Sequence, residues 1–375
     1  MERFETVIIG GGQAGLATAY HLKKQRRSFV VLDAEERVGD AWRKRWDSLR
    51  LFTPAKYDGL PGLRFPAPRW SFPTKDEMGD YLEAYAGRFD LPVRSGVFVD
   101  RVYRDADCYV IETGLDTFEA DNVIVATGAH RVPRLPEFAS ELDARITQLH
   151  TVDYRSPAQL REGGVLVVGV GNSGAEIAFE LAQTREVCQS GIPSAEIPVR
   201  HGSIPSRFVL PVIRFVGTHV LTVRTPMGRK ARPRFLAMAT PLIRIKSKDL
   251  LAAGIERVPR VVGVRDGLPL LADGRLLEVA NVVWCTGFDY DFSWVDVPGL
   301  DNSEPLHERG VVPSTPGLYF VGLRFQYAPV SDVLPGVGRD AAHVVKHLAA
   351  ATIGKTQRFP PARRSSRSTE VVAGP

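Results

Sequence analysis

Cysteine is scarce. The 375-residue chain has three, Cys108, Cys188 and Cys285, far apart and without a CxxC pair. That excludes a disulfide framework, a zinc site of ordinary spacing and a dithiol relay, and it fits a reducing cytoplasm. Long apolar runs are missing too: none approaches the roughly 20 residues that span a bilayer. No apolar leader with a cleavage signal precedes the first strand. The expectation is a cytoplasmic protein without membrane insertion. His343 and His347 are four apart, but two ligands make a weak metal signal, and no metal centre is expected. The formal net charge of +5 is assigned mainly to the C-terminal end. There Lys355, Arg358, Arg363, Arg364 and Arg367 stand against Glu370 alone. The body then has no nucleic-acid footprint, and the Pro-, Ser- and Arg-rich residues 353–375 read as a disordered basic tail.

What the chain does have is glycine in two ordered settings. Val7-Ile8-Ile9 leads into Gly10-Gly11-Gly12-Gln13-Ala14-Gly15, and Leu16, Ala19, Tyr20 and Leu22 follow at helical spacing. The pattern predicts strand, turn and helix. Gly10 permits the tight turn, Gly12 lets the backbone approach a pyrophosphate, and Gly15 lets helix and strand pack closely. The next strand, over 28–32, ends at Asp33, eighteen residues past Gly15, where a carboxylate accepts hydrogen bonds from a ribose. Val165 to Val168 repeats the device with Gly169-Val170-Gly171-Asn172-Ser173-Gly174. The same count from Gly174 reaches Ile192, which cannot serve a ribose as a carboxylate does. Arg200 and His201, slightly further on, offer positive charge toward NADPH, with a solvated loop arginine as the alternative.

Two apolar runs end alike, at Thr127-Gly128 and at Thr286-Gly287. A buried strand that stops in a small residue and glycine suits close backbone approach to a ligand or a neighbouring domain. The fold expected is α/β, with two Rossmann-like dinucleotide-binding domains, the second inserted in the first. Residues 1–148 and 282–352 form the outer domain and 149–281 the insert. A helix is expected over 340–349. The stretches 205–211 and 224–234 read as irregular segments, either a lid or substrate wall or a surface loop. If Arg229, Lys230, Arg232 and Arg234 face the cleft, they favour an acidic substrate.

With these motifs, the run Gly39-Asp-Ala-Trp42-Arg-Lys-Arg-Trp46 through Pro54, Trp284-Cys-Thr-Gly-Phe288 and Gly336-Val-Gly-Arg-Asp-Ala341, the chain resembles the flavin-containing monooxygenase superfamily, closest to its bacterial CzcO-like and plant YUCCA-like branches. The resemblance spans nearly all of residues 5–350. It implies FAD in the outer domain and NADPH, or else NADH, in the insert. It also implies a C4a-(hydro)peroxyflavin that oxygenates a small organic substrate with O2. It places Trp42 at the FAD site, Asn172 and Ser173 against the nicotinamide dinucleotide, and Thr127 and Gly128 near both cofactors. Trp42 and Trp46 also read as plain core aromatics. Of the family's identifying motif His150 and Tyr154 are kept, while Ala144 and Ile146 replace its Phe and Gly. Phe52 stands where many animal-type members have asparagine, and Leu323 where related flavoproteins often carry Asp. No catalytic side chain is assigned. An NAD(P)H-dependent reductase or oxidase without oxygen insertion is the main alternative, and a non-catalytic redox sensor the third reading. A homo-oligomer is compatible with the sequence.

Overall fold

The computed structural model describes residues 1–129, 132–192, 195–238, 240–298, 300 and 304–358. The chain opens with β1 (Glu2–Ile9), α1 (Gln13–Lys24) and β2 (Phe29–Leu32), followed by α2 (Asp40–Arg43) and α3 (Lys75–Arg88). Strands β3 (Val93–Arg94), β4 (Val99–Asp105), β5 (Cys108–Thr113) and β6 (Thr117–Val125) complete the first half of the outer lobe, and β7 (Val132–Pro133) follows. The inserted lobe carries β8 (Thr147–His150), β9 (Val165–Val168), α4 (Asn172–Leu181) and β10 (Val187–Ser190). Three helices come next: α5 (Ser206–Phe215), α6 (Pro226–Ala237) and α7 (Ser247–Ala252). After them run β11 (Glu256–Val258), the β12 (Val261–Arg265) and β13 (Leu268–Leu271) hairpin, and β14 (Asn281–Trp284). The chain returns through β15 (Phe288–Asp289), β16 (Val295–Asp296), β17 (Leu318–Phe320) and α8 (Leu334–Arg358).

Two main sheets result. The outer one has eight strands in the order β16-β4-β5-β6-β1-β2-β3, with β17 also on β6. The inner one has the order β11-β10-β9-β14-β8, parallel throughout. Parallel strands covered on both faces read as continuous apolar runs. Accordingly β2 and β14 are buried at every residue. One face of the outer sheet packs on α1, α3 and α8 through Ile8, Leu16, Tyr85, Val337 and Val344, and Thr74 and Glu77 close a capping box on α3. Trp46 enters the core of the inserted lobe with Ile177 and Val283, while Leu49 touches both cores, so the 40–51 segment ties the lobes together.

Several elements differ from the sequence reading. Strand β14 is hydrogen-bonded inside the inner sheet, so the chain leaves that lobe after Trp284 and not at 281. The segments read as irregular are the helices α5 and α6, joined through a π-helical turn over Val216–Val220. They tolerate the internal Pro211 and Pro233, each of which costs its helix a backbone hydrogen bond. Helix α8 begins six residues before Asp340 and runs to Arg358, so the start of the expected tail is helical. Residues 359–375, with Arg363, Arg364 and Arg367, lie outside the described residues.

Candidate functional site

The first glycine turn is built by contact. Gly10 has φ +108°, and a Cβ there would lie 2.6 Å from the Ala126 carbonyl oxygen. A Cβ on Gly15 would lie 1.8 Å from the Gly10 oxygen, so α1 sits on the turn at a distance only glycine permits. Gly12 differs: nothing lies within 4 Å of its Cβ position. It is also the N-cap of α1 and supplies no side-chain hydrogen bond. Uncapped amide N–H groups at a helix start, facing open space and reinforced by the helix dipole, are suited to a phosphate. Asp33 ends β2 nearly buried. Burial pushes its carboxyl up, and backbone N–H groups of Gly11, Glu35 and Ala34 oppose that shift. Trp42 Nε1 donates to Gln13 Oε1 at 3.2 Å, which places the indole at the first turn of α1. Ala14 meets the Cβ position of Gly322 at 3.0 Å.

The second turn copies the first. Gly169 has φ +127°, its Cβ position is 2.2 Å from the Cys285 oxygen, and that of Gly174 is 2.2 Å from the Gly169 oxygen. Gly171 is the uncapped N-cap of α4, and Ser173 lies in the first turn. Behind each turn stands one Thr-Gly strand end. The Ala126 N–H donates to Ile9 O at 2.8 Å and the Cys285 N–H to Val168 O at 2.7 Å, so Thr127-Gly128 and Thr286-Gly287 emerge beside the glycines. Gly128 and Gly287 take φ +74° and +87° and face open space. His150 supports the second end: its Nδ1 accepts from the Val152 N–H, so its Nε2–H donates to Gly287 O at 3.1 Å, and burial keeps the ring neutral. Tyr154 donates to Glu180 at 2.7 Å within the inserted lobe.

Two residues expected at the second dinucleotide have other partners or surroundings here. Asn172 spends its side-chain amide on its own lobe, donating to Thr240 Oγ1 and Pro241 O at 3.1 Å and accepting from the Ile243 N–H at 3.0 Å. Arg200 is exposed, and it does not line the cleft beside the second turn. That cleft, about 320 Å3, runs along Gly169, Ser190, Ile192, Trp284 and Thr286, and its cation is Arg260. Arg260 follows β11, the sheet neighbour of β10, so no count from Gly174 along one βαβ unit reaches it. Arg229, Lys230 and Arg234 are exposed, while Arg232 pairs with Glu304 at 2.7 Å. Leu323 is core, and in place of an acidic side chain the buried Gln326 accepts from the Gly322 and Leu323 N–H groups. Phe52 meets the inserted lobe through its carbonyl, 3.0 Å from His201 Nε2, and the His201 ring lies tilted against Phe72 at 3.8 Å between ring centres. The cysteines are free, and Cys285 is half-buried, with its thiol pushed far up by desolvation.

Comparison with known proteins fits this geometry. The model of the pyridine nucleotide-disulphide oxidoreductase family matches residues 7–214. An uncharacterized CzcO-like oxidoreductase of Geobacillus kaustophilus is 37% identical over 92% of this chain and 98% of its own. The probable indole-3-pyruvate monooxygenase YUCCA7 of Arabidopsis thaliana is 30% identical over 92% of this chain and 87% of its own. Among solved structures, the flavin-containing monooxygenase from Stenotrophomonas maltophilia superposes with a TM-score of 0.71 at 27% identity, covering 94% of this chain and 100% of that one. The paired glycine turns thus sit in a chain that belongs to the pyridine nucleotide-disulphide oxidoreductase family, as an oxidoreductase of its CzcO-like and flavin monooxygenase branch.

Proposed function

We propose that the chain is an FAD-dependent, NAD(P)H-using monooxygenase of a small organic substrate. The observation that carries this reading is the pair of matched glycine turns, each with an uncapped helix start and backed by a Thr-Gly strand end. No dithiol is available to turn the same fold toward disulfide reduction. Gly10, Gly12 and Gly15 receive the FAD pyrophosphate and Asp33 its ribose, while Gln13, Ala14, Trp42, Thr127 and Gly128 border the dinucleotide. Gly169, Gly171, Ser173 and Gly174 take the nicotinamide dinucleotide beside Thr286 and Gly287, with Asn172 contributing backbone only. FAD, when bound, supplies electron acceptance and oxygen activation. The residues' own work is to hold both dinucleotides and keep water out. Phe52, Phe72 and His201 close the seam between the lobes where exclusion is needed.

The test measures NADPH, oxygen and hydrogen peroxide together, with and without a panel of sulfides, amines and carbonyl compounds. An oxygenated product with peroxide falling below NADPH consumed is the expected result. Peroxide matching NADPH whatever is added would replace oxygenation by the oxidase reading. Donor choice has its own check. Arg260→Gln removes a charge-assisted contact to a 2′-phosphate worth roughly 1.5–3 kcal/mol, so KM for NADPH should rise about tenfold to a hundredfold while KM for NADH holds. Equal change for both donors would remove Arg260 from that role.

A further inference from the structure

Helix α5 wears its apolar side outward. It carries Phe208, Val209, Leu210, Val212, Ile213 and Phe215, yet its only buried residue is Ser206. Phe208, Val212 and Phe215, spaced four and three apart, form one stripe on the helix and are 73%, 61% and 58% exposed, and Ile204 in the turn before it is 70% exposed. Between this helix and the body lie cation–aromatic contacts, Arg214 over Tyr57 at 4.9 Å and Arg207 over Trp70 at 5.8 Å. A packing helix of a globular domain has the reverse arrangement. Met227 and Met238 extend the exposed apolar residues along α6.

The sequence around this stripe carries charge of one sign. From residue 197 to 248 the sequence contains eleven Lys and Arg and no Asp or Glu. Arg207, Arg224, Arg229, Lys230 and Arg234 are exposed. An outward apolar stripe with exposed cations close to it in the sequence matches a lipid interface with acidic headgroups, where acyl chains take the stripe and phosphates the cations. A two-fold contact with a second copy would bring the same cations face to face, which disfavours that occupant. Among the described residues no helix is long and apolar enough to cross a membrane, so the contact is superficial. The segment is firmly seated: the Val223 N–H donates to Tyr327 O at 2.9 Å and Arg339 Nη1 to Thr218 O at 2.9 Å.

We propose that residues 204–238 form an interfacial docking surface for an anionic phospholipid bilayer. The proposal stands apart from the oxygenation reading, because it rests on the surface of α5 and α6 alone. The test is flotation of the full-length flavoprotein with vesicles of phosphatidylcholine, either alone or with about one third phosphatidylglycerol. The wild type should float with the anionic vesicles only, and release should follow at about 0.5 M salt, where the Debye length shrinks to a few ångströms. Two triple variants of exposed residues should each float at least about tenfold less, Phe208→Ser/Val212→Ser/Phe215→Ser by losing apolar insertion and Arg229→Gln/Lys230→Gln/Arg234→Gln by losing headgroup attraction. Flavin absorbance and the melting temperature verify their fold, and the cation variant keeps the apolar stripe intact. Failure of the wild type to float with anionic vesicles overturns the proposal, as does undiminished flotation of both variants. A wild-type dimer that never floats and that the serine variant turns into a monomer assigns the stripe to a contact between copies instead.

Discussion

Gly12→Val should yield a folded protein that no longer retains flavin. The Cβ position of Gly12 meets nothing within 4 Å, and its φ of −75° and ψ of −171° suit a branched residue, so the apoprotein loses little. The added methyls would occupy the space from which a pyrophosphate reaches the amides of α1. Retention should fall at least about a hundredfold, equivalent to roughly 3 kcal/mol. Gly15→Ala makes the contrast. Its methyl would stand 1.8 Å from the Gly10 oxygen, and the obstacle is backbone, which has no rotamer to yield. Helix α1 would have to lift from the β1 end, costing roughly 1–3 kcal/mol or more of stability. The measurements are the flavin-to-protein absorbance ratio after purification and the melting temperature of each apoprotein. If Gly12→Val keeps its flavin, the pyrophosphate does not pass over Gly12, and the assignment of the first turn fails with it.

These glycines were legible in the sequence because their spacing is itself a steric requirement. Gly10 and Gly15 touch, and so do Gly169 and Gly174, hence a motif read along one strand-turn-helix unit needs no knowledge of the rest. The same kind of count, within one βαβ unit, sets Asp33 just after β2 and beside Gly11 of the first turn. From Gly174 the count reaches Ile192, which lines the second cleft without a charge, while that cleft's cation, Arg260, follows a neighbouring strand about seventy residues later, and sheet order is not written in local spacing. Trp42 and Trp46, four apart on one short segment, share a reading as core aromatics, and only the family resemblance sets Trp42 apart for the FAD site. One bonds Gln13 at the first turn and the other enters the core of the opposite lobe, a choice made by tertiary packing. The net charge misled for a related reason. Averaging over the body left it nearly neutral, while the acid-free stretch across α5 and α6 concentrates cations on one exposed segment.

Asp58 should make the protein less stable as pH rises from about 4 to about 7, the reverse of the usual carboxylate behaviour. The residue is wholly buried. Its Oδ1 accepts from the Thr53 hydroxyl, and its Oδ2 has no hydrogen-bond partner among the described residues. Burial pushes the carboxyl from 3.8 up to about 7, with the Thr53 hydrogen bond opposing the shift. The sign follows from proton counting: between those values the folded state holds a proton that the unfolded chain has released, so each step up in pH favours unfolding. Stability from this group is complete below the unfolded value and is lost as pH passes through the folded one, a span of roughly 4 kcal/mol before relaxation or water entry reduces it. Asp58→Asn keeps the shape and the acceptor for Thr53 but cannot ionise. It should match the wild type near about pH 4 and exceed it by roughly 2–4 kcal/mol near about pH 8. Chemical denaturation across that range checks it, with the wild type sloping and the variant flatter. Parallel curves would mean that Asp58 is ionised and solvated in the folded protein. The expected result would leave the chain with a neutral acid, one oxygen unpaired, six residues from the Phe52 carbonyl that meets His201 at the lobe seam.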